Sequence, residues 1–107
     1  MADSFIQDRK AEVGKDKIVV YIKGTPEVPQ CGFSAQVVDV FKGLGKPFTA
    51  INILENPTLR ARMHEFSNWP TFPQIFINGK FIGGCDIVTE MHQQGELAPL
   101  VEAAFKR

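Results

Sequence analysis

The sequence predicts an α/β domain in which a mixed four-stranded sheet is covered by helices on both faces. Three observations carry this reading. The run Ile18-Val19-Val20-Tyr21-Ile22 is short, β-rich and apolar throughout, which suits a strand buried on both sides. A second segment of strand character, Phe48 to Ile53, is separated from it by a stretch of helical periodicity, and strands joined through a helix pair in parallel. Finally, Gln74-Ile75-Phe76-Ile77 and Lys80-Phe81-Ile82 flank Asn78-Gly79, a dipeptide suited to a type I′ turn, so an antiparallel hairpin joins the same sheet.

The elements follow in chain order. Ser4 is positioned to cap a short N-terminal helix carrying Phe5, Ile6 and Val13, with Gly14 ending it. After the first strand, Gly24 and Pro26 force a loop. From Phe33 to Leu44, Val37, Val40, Phe41 and Leu44 recur at helical spacing, and Gly43 and Gly45 mark the end. Cys31 therefore sits at a helix N-terminus. Asn56-Pro57 supplies an N-cap followed by proline at the first helical position, and Leu59, Met63 and Phe66 give that helix its buried face. Beyond the hairpin, Gly83-Gly84 closes the turn, Asp86 can cap a helix running to about Gln94, and Gly95 stops it. A last apolar stripe contains Leu97, Leu100, Val101, Ala104 and Phe105. The order βαβα followed by ββα describes a thioredoxin-like architecture.

Composition bounds the function classes. The 107 residues, 44% of them hydrophobic, suffice for one core, and the expectation is a single domain over residues 1–107. Twelve basic residues balance twelve acidic ones, so no overall field draws nucleic acid or an anionic membrane. The longest unbroken apolar run, Ile18 to Ile22, falls far short of the roughly 20 residues that a membrane helix requires. Met1 to Asp8 lack the basic start, apolar stretch and cleavage site of a secretory signal, and the expected location is the cytoplasm. Two cysteines are too few for a secreted disulfide framework, which points to a reducing compartment where thiols act chemically. His64 and His92 lack paired spacing and no C-x₂₋₄-C occurs, so a metal would have to borrow outside ligands.

The chemistry centres on Cys31-Gly32-Phe33-Ser34. A cysteine at the first turn of a helix lies where the dipole and free N–H groups favour thiolate, the reactive and metal-binding form. A buried structural cysteine is the alternative, and the position argues against it. In a C-x-x-C motif the second thiol resolves the mixed disulfide formed by the first; Ser34 cannot, so release needs a separate thiol. Cys85 is a candidate only if its backbone comes within about 7 Å of that of Cys31.

Together with Lys23-Gly24-Thr25-Pro26, Trp69-Pro70-Thr71-Phe72-Pro73 and Gly83-Gly84-Cys85-Asp86, this motif resembles the monothiol glutaredoxins over a span from about Lys17 to Phe105. The resemblance implies a thioredoxin fold, glutathione binding and an iron–sulfur carrier role, with weak or absent ordinary glutaredoxin turnover. A [2Fe–2S] cluster takes four thiolates and the motif offers one. Cys31 from each of two protomers, with two glutathione sulfurs, would complete the set, so the resemblance implies Cys31 as both the reactive residue and the iron ligand and a homodimer as the holo form. BolA-like proteins and iron–sulfur recipient proteins are the further partners the resemblance implies.

The same resemblance assigns a glutathione site. Lys23 and Arg60 take the glycine carboxylate, although each residue alone reads as a solvated surface charge. Thr71, Phe72 and Pro73, the proline in the cis form, offer backbone to the ligand's peptide in the manner of strand addition. Gly83 and Gly84 admit close approach, while Cys85 and Asp86 open a helix whose N–H groups can hold the γ-glutamyl carboxylate. Asp86 can pair with the ligand's amino group or serve as a plain N-cap. Trp69 reads as packing near the site, Phe41, Phe66, Phe76 and Phe105 as core, and the two histidines as surface or helix-end residues. Three functions remain open: a cluster carrier, a glutathione-dependent thiol–disulfide oxidoreductase, and an adaptor sharing a cluster with a BolA-like protein.

Overall fold

A computed structural model describes residues 3–106; Met1, Ala2 and Arg107, the ends of the expected domain, lie outside the described residues. The chain runs α1 (Phe5–Lys15), β1 (Ile18–Ile22), α2 (Gly32–Leu44), β2 (Thr49–Asn52), a 3₁₀ turn (Ile53–Glu55), α3 (Pro57–Ser67), β3 (Gln74–Ile77), β4 (Lys80–Gly83), α4 (Cys85–Gln93) and α5 (Leu97–Phe105). The sheet order is β2-β1-β3-β4, with β1 parallel to β2 and antiparallel to β3, and β3 antiparallel to β4. Both central strands are wholly buried, β1 as its unbroken apolar run requires and β3 with the polar Gln74 buried beside its three apolar residues.

Strand alternation divides the apolar residues between two cores. Ile18, Val20, Ile22, Ile75 and Ile77 pack with α2, α4 and α5 on one face. Val19, Tyr21 and Phe76 pack with Phe5 and Val13 of α1 and with Leu59 and Met63 of α3 on the other. The four phenylalanines expected in one core are thus shared: Phe41 and Phe105 belong to the first face, Phe66 and Phe76 to the second. At the hairpin, Asn78 and Gly79 adopt φ of 53° and 80°, the pair of positive angles a type I′ turn needs.

Several boundaries differ from expectation for local reasons. Ser4 occupies the N-cap of α1 without capping it; its hydroxyl donates to Asp8, and the Asp3 carboxylate accepts from the Phe5 N–H instead. Gly14 does not end α1, which continues to Lys15 and is held by packing. The Phe5 ring lies beneath the guanidinium groups of Arg9 and Arg62, and the Tyr21 hydroxyl donates to Glu12. The second strand is shorter than Phe48 to Ile53, because the Asn52 side chain accepts from the Leu54 N–H and turns the chain into the 3₁₀ segment. Asp86 does not cap α4: Gly84 is the N-cap, and Asp86 stands in the first turn. At α3 the expected start is found, with Asn56 Oδ1 accepting from the Leu59 N–H and Pro57 at the first position.

Candidate functional site

The site gathers at the end of the sheet where β1 leads into α2. Gly24 takes φ 95°, and a Cβ there would meet the Val28 carbonyl oxygen at 2.5 Å, so the tight loop that follows requires glycine. That loop closes on itself through the Gln30 N–H to the Lys23 carbonyl at 2.8 Å, and the Gly24 N–H is held by Asn52 Oδ1 at 2.9 Å. Anchored this way, the chain delivers Cys31 to the N-cap of α2 with extended backbone. Gly32 begins the helix one residue before the expected Phe33.

Cys31 is a free, partly exposed thiol. The Ser34 backbone N–H does most to lower its pKa, followed by the Phe33 N–H, the Lys23 charge and the Ser34 hydroxyl; burial acts in the opposite direction. The expected thiolate therefore has a physical source in the first turn of α2. Ser34 is fully buried, and its Oγ accepts from the Lys23 N–H at 3.1 Å, tying α2 to the end of β1. Cys85 is the opposite case: it is buried, its Sγ lies 3.8 Å from Thr89 Oγ1, and burial pushes its thiol pKa up.

A cavity of about 510 Å³ opens beside Cys31. The expected residues Lys23, Cys31 and Arg60, then Thr71, Phe72 and Pro73, and finally Gly84, Cys85 and Asp86 line it. Gly83, expected to admit the ligand closely, does not, and the space a Cβ there would occupy is taken by the Ile87 side chain. Lys23 and Arg60 put cationic charge in this wall, and the N-terminal turn of α4 meets it at Gly84, Cys85 and Asp86. The Phe72–Pro73 peptide bond is cis. Trp69 also lines the cavity, as expected of a packing residue, and an aromatic chain connects it inward: Trp69 to Phe81 at 5.7 Å, Phe81 to Phe76 at 5.3 Å, Phe76 to Tyr21 at 5.6 Å. His64 and His92 are exposed, in the last turns of α3 and α4.

Phe33 and Pro70 were not expected in the site, yet both line the cavity. Phe33 is 58% exposed, an unusual state for a large apolar side chain, and its place directly after Cys31-Gly32 is the signal that could have flagged it. Among the described residues, no three His, Cys, Asp or Glu side chains gather into a metal-binding group. No described helix is long and apolar enough to cross a membrane.

Comparison with known proteins bears on the family and the fold. The Glutaredoxin family model matches residues 18–82. The chain is 48% identical over 104 residues to glutaredoxin 4 of Buchnera aphidicola, covering 97% of this chain and 96% of that one. A chloroplastic monothiol glutaredoxin of Arabidopsis thaliana is 52% identical over 93 residues, 87% of this chain and 54% of the relative. Among solved structures, a reduced apo glutaredoxin of poplar aligns with TM-score 0.77 at 49% identity, covering 92% of this chain and 88% of the other. A buckwheat glutaredoxin–glutathione complex aligns with TM-score 0.81 at 29% identity, covering 92% and 88%.

Proposed function

The chain belongs to the glutaredoxin family, and from that premise we propose that it is a monothiol glutaredoxin that binds glutathione and uses Cys31 to hold and pass on a [2Fe–2S] cluster. One observation carries the reading. A thiolate-favouring cysteine, two cationic side chains and a helix N-terminus line a single cavity, while the position that would hold a second motif thiol is a buried serine.

The cavity suits an extended tripeptide with a carboxylate at each end, and its volume falls in the range of small-molecule sites. Lys23 and Arg60 take the glycine carboxylate through charge-assisted hydrogen bonds. The backbone of Thr71 to Pro73 runs along the ligand's own peptide. The γ-glutamyl carboxylate meets the N-terminal turn of α4 at Cys85 and Asp86, where helical N–H groups lack intrahelical acceptors, and the Asp86 carboxylate faces the ligand's amino group. In support, the buckwheat neighbour is a glutathione complex on the same fold.

With glutathione so placed, its sulfur joins Cys31 as a ligand to the cluster, which is cargo and not part of the folded chain. One protomer then supplies two of four thiolates, and a homodimer completes the shell. A BolA-like protein replacing one protomer and iron–sulfur recipient proteins are the partners this role calls for, in a reducing compartment such as the cytoplasm. We read residues 1–107 as one unit performing it. Anaerobic reconstitution tests the proposal: iron, sulfide and the visible absorption of a [2Fe–2S] centre should be retained with glutathione and lost without it. Absence of a cluster in the presence of glutathione, or equal loading without it, contradicts the reading.

A second reading is favoured by the exposure and lowered pKa of Cys31, which also make it a nucleophile. Glutathione-dependent disulfide reduction would proceed by attack of the Cys31 thiolate on a glutathione mixed disulfide, expelling the substrate thiolate; external glutathione then attacks the Cys31–glutathione disulfide and leaves as glutathione disulfide. Ser34 leaves no internal resolving thiol, so every turnover depends on that external glutathione.

A further inference from the structure

The cavity wall from Trp69 to Pro73 carries no regular secondary structure of its own. Gln74, the first residue of β3, is fully buried and directs its Nε2 back at this wall, donating to the carbonyl oxygens of Trp69 and Thr71 at 3.1 Å each. Ser67 works from the other end: its Oγ accepts from the Trp69 N–H at 3.2 Å and donates to the Met63 carbonyl at 3.1 Å. Both backbone groups of Trp69 are thereby tied to regular elements, its N–H to the end of α3 and its carbonyl to β3.

The buried Gln74 side chain is otherwise an expense. Its Oε1 has no hydrogen-bond partner, although a buried, unpaired acceptor carries a desolvation penalty. A leucine or methionine would fill the same volume without that cost, so the amide is explained by its donors, which act only on the cavity wall. We propose that Gln74 is a positioning residue: it holds the Trp69–Thr71 backbone so that the Thr71-Phe72-Pro73 segment presents a fixed edge to glutathione. The ligand half of this statement rests on the glutathione reading above; the wall-fixing half does not.

Trp69 is the single tryptophan of the chain, so its fluorescence reports on this wall without labelling. In Gln74→Met both donors disappear together with the unpaired oxygen. Acrylamide quenching of Trp69 in the ligand-free protein should increase, and glutathione affinity by calorimetry should fall about tenfold, the equivalent of two modest hydrogen bonds. The thermal midpoint should stay near wild type, as should alkylation of Cys31, whose thiolate is stabilised from α2. Unchanged quenching and affinity overturn the proposal, as does a loss of affinity that only follows a loss of stability. If Gln74→Met does not fold, Gln74→Glu keeps the shape while facing two carbonyls with an acceptor, and the same two readouts decide. Wild-type protein that does not bind glutathione overturns the ligand half, and Trp69 quenching alone then upholds or overturns the wall-fixing role.

Discussion

Substitution of Gly84 by alanine should damage the candidate site through contact alone. Gly84 has φ −97° and ψ −162°, extended backbone that an L residue adopts without strain. The added Cβ, however, would stand 2.9 Å from Trp69 Nε1 and 3.3 Å from the Pro73 carbonyl oxygen. Trp69 cannot simply retreat, because Phe81 packs against its ring and Ser67 and Gln74 hold its backbone. The cost should match overpacking of a well-filled core, about 1–3 kcal/mol. For a domain of this size each kcal/mol lowers the melting temperature by roughly 4–8 °C. Gly43→Ala is the matched control, since Gly43 lies inside α2 with nothing within 4 Å of the new Cβ, and it should stabilise by about 0.5–1 kcal/mol. Urea denaturation followed by circular dichroism gives both stabilities, and calorimetry with glutathione reads the site. Gly84→Ala protein as stable as wild type, with unchanged glutathione affinity, would refute the reasoning.

Other expectations follow from the same geometry. Lys23→Ala and Arg60→Ala should each weaken glutathione binding by on the order of 1–3 kcal/mol while leaving the fold intact; wild-type affinity by calorimetry in both variants removes them from the site. Ser34→Cys should raise turnover in a disulfide reductase assay, because a vicinal thiol can resolve Cys31 mixed disulfides, while the poorer acceptor for the Lys23 N–H costs about 0.5–1.5 kcal/mol of stability; an unchanged rate counts against it. The pKa of Cys31 is depressed in the folded state, chiefly by the Ser34 N–H, so its thiolate contributes stability present above the unfolded thiol's pKa and lost as pH falls through the folded value. The stability of wild type relative to Cys31→Ser should accordingly rise with pH across that window under reducing conditions, and a difference independent of pH contradicts the assignment.

The fold was legible because its strongest signals are local. Ile18 to Ile22 reads as a doubly buried strand from composition alone, and Asn78-Gly79 and Asn56-Pro57 each specify their own turn or cap. Motif order was enough to bring Lys23, Arg60 and Asp86, far apart in sequence, to one cavity. What escaped depends on partners distant in the chain. The Asn52 side chain both ends β2 and anchors Gly24, 28 residues earlier. Ser34 reads as a missing thiol, whereas its hydroxyl also fastens α2 to β1. Gln74 reads as a polar residue opening a strand, and only the returning 69–73 wall gives its amide a purpose. Ser4 and Asp86 are good capping residues by type, but Asp3 and Gly84 stand where the backbone needs them.

The central claim is a count of sulfur ligands, and the direct test is size-exclusion chromatography of the reconstituted protein with iron and glutathione quantified across the peak. Cys31 is the one thiol of the chain that is partly exposed with its pKa lowered, while Cys85 is buried with its pKa raised. The account predicts a dimer carrying two irons and two glutathiones per cluster, given four thiolate positions to fill. It predicts monomer without cluster for Cys31→Ser, and substantial cluster for Cys85→Ser. A cluster-loaded monomer, a holo dimer free of glutathione, or normal loading in Cys31→Ser would contradict it.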